Sequence, residues 1–271
     1  MSTVAPNAPG LARGSRWPLA SWEIAKRTVK KFVRTPALIV VGTIQGAMFL
    51  LIFRYVFGGA IEVGGMKYVD FLVPGYVTTG VLFSGMTAAA GMAEDLEKGF
   101  IDRLRSMPFH RGSILAGRAI ADTGLLVWGN LITVVIGFLV GFRIHDGVAR
   151  ALLAFALLAL FGFAFEWVFV LMGMVAGSAQ AAQGLSLMIF PFTFVSSAFV
   201  PVETMPGWMQ PVARNQPLTV MTNAVRTLTQ GEKAERFIGE TANYWITRSL
   251  LWSAGIAVGF AIIAIIRFRK T

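Results

Sequence analysis

The sequence predicts an all-α, polytopic membrane protein with six transmembrane helices, and three observations carry that reading. The 271 residues are 55% hydrophobic and 14% charged, with mean hydropathy +0.66, whereas a soluble domain carries about 25% charge. Six apolar runs are each long enough to cross the hydrocarbon layer as a helix, which takes about 20 residues. Lys and Arg are distributed unevenly between the segments that join those runs.

In chain order, residues 1–35 form a polar N-terminal region ending in an amphipathic helix. Trp22, Ala25, Val29, Phe32 and Val33 share one face, Lys26, Arg27, Lys30, Lys31 and Arg34 fill much of the rest, and Ser21 supplies the N-cap. Such a helix lies in the membrane interface. No apolar core or small-residue cleavage site precedes the first run, so this region is not read as a signal peptide. The spans are expected at 36–56, 71–93, 119–142, 151–175, 184–202 and 247–266, within a single membrane unit 36–266. Asp122 is placed in the first turn of the third span. Pro191 is expected to interrupt the fifth, freeing a carbonyl that a neighbour must satisfy. Residues 203–246 are punctuated by Pro206, Pro211 and Pro217. They are expected to form short re-entrant helices, one over 218–230. Residues 267–271 form a tail.

Fifteen of the 24 basic residues fall in the N-terminal region, the 94–118 loop and the tail. The positive-inside rule therefore puts both termini and that loop in the cytoplasm of a plasma (inner) membrane protein, with 203–246 outside. The net charge of +10 then reflects flanks facing anionic lipid rather than nucleic acid.

Several chemistries are excluded. There is no Cys, hence no disulfide and no thiolate metal site. No G-x-x-x-x-G-K-[ST] loop is present to hold ATP, no H-E-x-x-H, and the only histidines, His110 and His145, lie in loops. No catalytic, cofactor-binding or metal-ligating residue is expected, so the chain is not read as an enzyme. Any energy must come from another subunit or an ion gradient.

The most informative segment is 94–108. Glu94, Asp95 and Glu97 precede Arg103 and Arg105, an order that suits the dipole of one short helix. Phe100, Ile101 and Leu104 give it an apolar ridge, and Pro108 limits it. A charged amphipathic helix outside the bilayer suits docking to a soluble partner. Glu166 is the acidic residue placed deepest in a span, within Phe163-Ala164-Phe165-Glu166-Trp167. It reads equally as a polar contact for cargo or a partner subunit, or as a helix-to-helix hydrogen bond with Gln45 or Asn130. Gly42-x-x-x-Gly46, Gly137-x-x-x-Gly141 and Gly173-x-x-x-Gly177 allow close helix approach within one subunit. Tyr244 and Trp245 read as belt anchors, and Arg54 and Arg248 as side chains that snorkel to headgroups.

The run Glu94-x-x-Glu97-Lys98-Gly99-x-x-x-Arg103-Leu104-Arg105-Ser106-Met107-Pro108 resembles the cytoplasmic loop of type-2 ABC transporter permeases. The later run Pro201-Val202-Glu203-Thr204-Met205-Pro206-Gly207-Trp208-Met209-Gln210-Pro211, then Gln216-Pro217-Leu218 and Arg226, resembles their external segment before the last span. Together the two look like the daunorubicin/doxorubicin-resistance exporters of that family, over nearly the whole chain. The resemblance implies that the 94–118 loop holds the coupling helix, which docks in a groove of a separate P-loop ATPase. Glu94, Glu97 and Gly99 would start it, Phe100, Arg103, Leu104 and Arg105 would face the ATPase, and Pro108 would fix the exit. Pro201, Pro206, Trp208, Pro217 and Arg226 would mark the external motif. Two ATPase copies, holding ATP and Mg, and two permeases, identical or not, would form the working unit.

The function expected is the permease subunit of an ATP-driven exporter of a hydrophobic or amphipathic compound: a drug, lipid or natural product. Export of a polysaccharide or other glycoconjugate is the alternative within the family. A gradient-driven secondary transporter is the alternative outside it, disfavoured by the absence of an internal repeat and by a single mid-membrane acid.

Overall fold

The computed structural model describes residues 26, 29, 30, 34, 36–61, 63–101 and 111–270. Most of the N-terminal amphipathic segment, including Trp22, Ala25, Phe32 and Val33, lies outside the described residues, as do Arg103, Leu104, Arg105 and Pro108. Among the described residues the protein is helical, with no strand.

Helix α1 (Pro36–Ile52) continues into a π-helical turn over Phe53–Phe57. Long helices follow: α2 (Tyr68–Glu97), α3 (Arg111–Leu139) and α4 (Val148–Ala176). Then come α5 (Ala179–Leu187) and the single turn α6 (Pro191–Phe194). After a 3-10 turn at Val202–Thr204 the chain forms α7 (Gln210–Asn215), α8 (Pro217–Gln230) and α9 (Glu232–Ile238), and it closes with α10 (Ala242–Lys270). Four of these are long and apolar enough to cross a membrane: Tyr68–Glu97, Ile114–Leu139, Val148–Ala176 and Ala242–Phe268. The first and fifth expected spans are not single helices of that length. One bends into a π turn, where each turn holds an extra residue, and the other breaks between Leu187 and Pro191.

The bundle centres on α4, which packs along α2 and α10. Small residues permit this contact. A side chain at Gly173 would meet the backbone of Ala89 and the side chain of Met92 on α2, and one at Gly85 would meet the Phe169 ring on α4. The glycine pairs divide accordingly. Gly137 and Gly173 pack against α2, but Gly141 and Gly177 take positive φ and end their helices, so the last two G-x-x-x-G runs are one packing notch and one stop each.

Two apolar cores result. The larger one gathers Phe71, Phe161, Phe199, Met221 and Trp245, from the end where α2 and α10 begin. The smaller one gathers Met92, Ile101, Ile114, Leu115, Trp167, Met174 and Phe268, where α2 ends and α3 begins. Trp245 is therefore buried, and it is not a belt anchor. Arg248 bonds Asn215 Oδ1 at 2.9 Å and the Tyr244 hydroxyl at 3.0 Å, so it is held by protein rather than reaching freely to headgroups. The C-terminal residues expected as a tail continue α10 through Lys270.

Candidate functional site

The loop end of the bundle is built around one arginine. Ala88, Gly91 and Asp95 lie at i, i+3 and i+7 on α2, hence on one helical face. Gly91 has no side chain, and a Cβ there would collide with the Arg118 guanidinium. The space it leaves admits Arg118 from α3. Its Nη1 donates to Asp95 Oδ2 at 2.5 Å, its Nη2 to the Ala88 carbonyl at 3.3 Å and its Nε to Asp122 Oδ2 at 3.2 Å. All three side chains are buried. Taking these charges out of water is expensive, and the planar fork of donors is what makes it tolerable. The result locks the end of α2 to the start of α3, at the two ends of the intervening loop.

Glu166 on α4 stands beside this network. It is fully buried, its polar neighbours are Ser84, Asp122 and Arg118, and neither carboxyl oxygen makes a hydrogen bond among the described residues. The expected bond to Asn130 is not made: the Asn130 amide sits in the notch at Gly80 on α2. Nor is Glu166 alone at depth. Asp122 is buried three turns into α3, because that helix begins at Arg111 rather than near 119.

The segment 94–108 is not one helix. Glu94–Glu97 are the last turn of α2, which Gly99 stops with φ +63°, and a new helical turn opens at Phe100 and Ile101. The acidic cluster therefore meets the carbonyl end of a helix dipole, not the amide end. Cations offset this. Lys98 Nζ bonds Glu94 Oε1 at 2.5 Å, which pushes the ammonium above its usual pKa, and Arg118 takes Asp95. Glu97 and Lys98 are exposed, whereas Ile101 is buried and Phe100 half-buried against the smaller core. Phe100 thus packs on its own bundle rather than pointing wholly outward.

At the opposite end, Arg226 on α8 is fully buried. Its Nη2 donates to the Phe71 carbonyl at 3.0 Å and the Ser197 carbonyl at 2.8 Å, its Nη1 to Asn223 Oδ1 at 2.9 Å, and its guanidinium lies 3.6 Å from the Phe71 ring centroid. The break in the fifth run explains these partners. The Ser197 amide takes Thr219 Oγ1 at 3.1 Å as acceptor, and the Gln216 amide donates to the Val195 carbonyl. α8 thus satisfies backbone that an unbroken helix would have paired internally. Pro217 opens α8 at a position where its missing amide proton costs nothing. Pro201 and Pro206 flank the 3-10 turn, and Trp208 is exposed.

Of the residues singled out from sequence, Glu94, Glu97, Gly99 and Phe100 fall at the loop end, Glu166 just inside it, and the external-motif residues at the far end. Sequence reasoning missed Arg118 and Asp122 as a buried ion pair. Their i, i+4 spacing inside an otherwise apolar stretch was the available signal.

A family profile described as ABC-2 type transporter matches residues 20–229. The chain is 32% identical over 246 residues to the daunorubicin resistance ABC transporter permease protein DrrB1 of Streptomyces coeruleorubidus, covering 90% of this chain and 84% of that one. It is 24% identical over 249 residues to the probable doxorubicin resistance ABC transporter permease protein DrrC of Mycobacterium tuberculosis, covering 90% and 86%. It is 22% identical over 209 residues to the putative transport permease ycf38 of Cyanophora paradoxa, covering 76% and 72%.

Proposed function

The chain belongs to the ABC-2 type transporter family, and from that premise we propose that it is the permease subunit of an ATP-driven exporter of hydrophobic or amphipathic compounds. The observation that carries the proposal is the likeness to a daunorubicin resistance permease over 90% of the chain. In this reading the polypeptide crosses the membrane six times: α1 with its π turn, α2, α3, α4, the broken α5–α6 pair and α10. Both termini and the 98–110 loop are cytoplasmic, and α7 to α9 form the external cap.

The working unit is two permeases and two copies of a separate P-loop ATPase, which holds ATP and Mg. The ATPase docks on the loop that follows α2, with Glu94, Glu97, Gly99, Phe100, Arg103, Leu104, Arg105 and Pro108 as the coupling residues. ATP favours the state in which the two ATPases close, and it acts on the permeases through that differential affinity. The Arg118 network gives the push a rigid path: Asp95 and Arg118 join both flanks of the loop, so displacing it moves α2 and α3 together. Glu166, beside that network, is the polar group that senses the rearrangement or meets the cargo.

The test is affinity purification from native membranes with mass spectrometry of the complex. A stoichiometric P-loop ATPase is expected. An intact, transport-active complex without one would overturn the proposal in favour of gradient-driven transport.

A further inference from the structure

Residues 58–61 and 63–67, between the π turn of α1 and α2, line with that turn an open cavity of about 480 Å³. Two cations line it, Arg54 and Lys67, together with Gly58, Gly64, Gly65 and Tyr68. Arg54 has a tyrosine ring 5.6 Å away, at Tyr55, but its Nε is buried without a hydrogen-bond partner. Neither Arg54 nor Lys67 has an ion pair or side-chain hydrogen bond among the described residues. Arg118, Arg143, Arg150, Arg214, Arg226, Arg236 and Arg248 all donate to an oxygen of the protein. A π-helical turn is the kind of backbone irregularity that marks binding sites, and here it carries the one cation of α1.

We propose that this cavity binds a phosphate group, as the headgroup of an anionic lipid or as a free anion. The guanidinium fork suits two phosphate oxygens and the Lys67 ammonium adds a point charge. Gly64 and Gly65, at φ +58° and +82°, adopt a backbone conformation that favours glycine and leave the cavity rim without side chains. The wall is firm, because the Phe237 ring of α9 fills the space on the far side of Gly64. The volume matches a small-molecule site. Outside the cavity, Ile44, Met48 and Ile52 form an exposed apolar stripe at i, i+4 and i+8 along α1, the helix that precedes Arg54. The site is independent of the transport reading and needs no ATPase.

The full chain, purified in detergent, is titrated with phosphatidylglycerol, phosphatidylcholine and inorganic phosphate, and bound species are followed by native mass spectrometry. Saturable binding of phosphatidylglycerol over phosphatidylcholine is expected, weakened about tenfold or more by Arg54→Gln and by Lys67→Gln, with Arg54→Lys retaining part of it. Lys67 is exposed, so Lys67→Gln decides the matter if the Arg54 variants are not monodisperse. Binding of inorganic phosphate alone, sensitive to the same variants, assigns the cavity to a free anion. No binding, equal uptake of both lipids, or binding unchanged in Lys67→Gln overturns the proposal.

Discussion

Arg118 and Arg226 each hold a buried guanidinium, but they are satisfied differently. Arg118 is met by two carboxylates and a carbonyl, whereas Arg226 is met by carbonyls, an amide oxygen and a ring. Arg118→Gln removes the buried pair with Asp95 and leaves Asp122 buried without its Arg118 counter-charge, and a loss of about 3–5 kcal/mol is expected. Thermal unfolding in detergent, followed by tryptophan fluorescence, measures it; an unchanged midpoint would refute the network's structural weight. Arg226→Lys places one ammonium where the fork reached four oxygens. It should cost about 1.5–3 kcal/mol for each charged hydrogen bond lost, read by the same melt. Glu166→Gln keeps the size of the side chain and removes its charge. A change in export rate or in stability is expected, and a variant that matches wild type in both shows that the group is a passenger.

Among the elements, the close approach of α2 to the broken fifth run rests on Gly75, where a Cβ would land on the Ala198 backbone. At Gly42, by contrast, nothing lies near. Gly75→Ala should therefore destabilise by about 1–3 kcal/mol, while Gly42→Ala should be neutral or mildly stabilising, by up to about 1 kcal/mol from helix propensity. Equal melting temperatures for the two variants would contradict this packing. The long apolar helices α2, α3, α4 and α10 were legible in the sequence, because about 20 apolar residues have few other fates. Their ends were less so. α2 carries its acidic residues inside its last turn because Arg118, 23 positions along the chain, neutralises one of them. Composition near 94 cannot report a partner supplied from another helix. The break near Pro191 was legible from the proline, but the role of Gln216, Thr219 and Arg226 in healing it depends on tertiary contact.

For the whole molecule, the two polar assemblies sit at opposite ends of one bundle whose long helices α2, α4 and α10 run the full distance. Family membership and membrane character were readable at this scale, since both motifs stand in order between recognisable spans. Reversing the charge of exposed Glu97, as Glu97→Arg, should leave membrane insertion and melting unchanged while lowering ATP-driven export severalfold or more. Normal export by a correctly inserted variant would remove Glu97 from the coupling surface. The deeply buried acids were only partly readable, because burial of Asp122 and Asp95 follows from how α3 meets α2.

Helix α8 has consequences for synthesis. It is enclosed by α2, α4 and α10, and α10 leaves the ribosome after the other two. Until then Arg226, Asn223 and Thr222 belong to a helix with one wall missing. A product terminated before Ala242 can form the Arg118 network from α2 and α3, yet it leaves this polar helix open toward lipid, which is costly. Closure of the last wall thus reports that α10 has been made, and a chain cut before it presents to membrane proteases a defect that the longer one conceals.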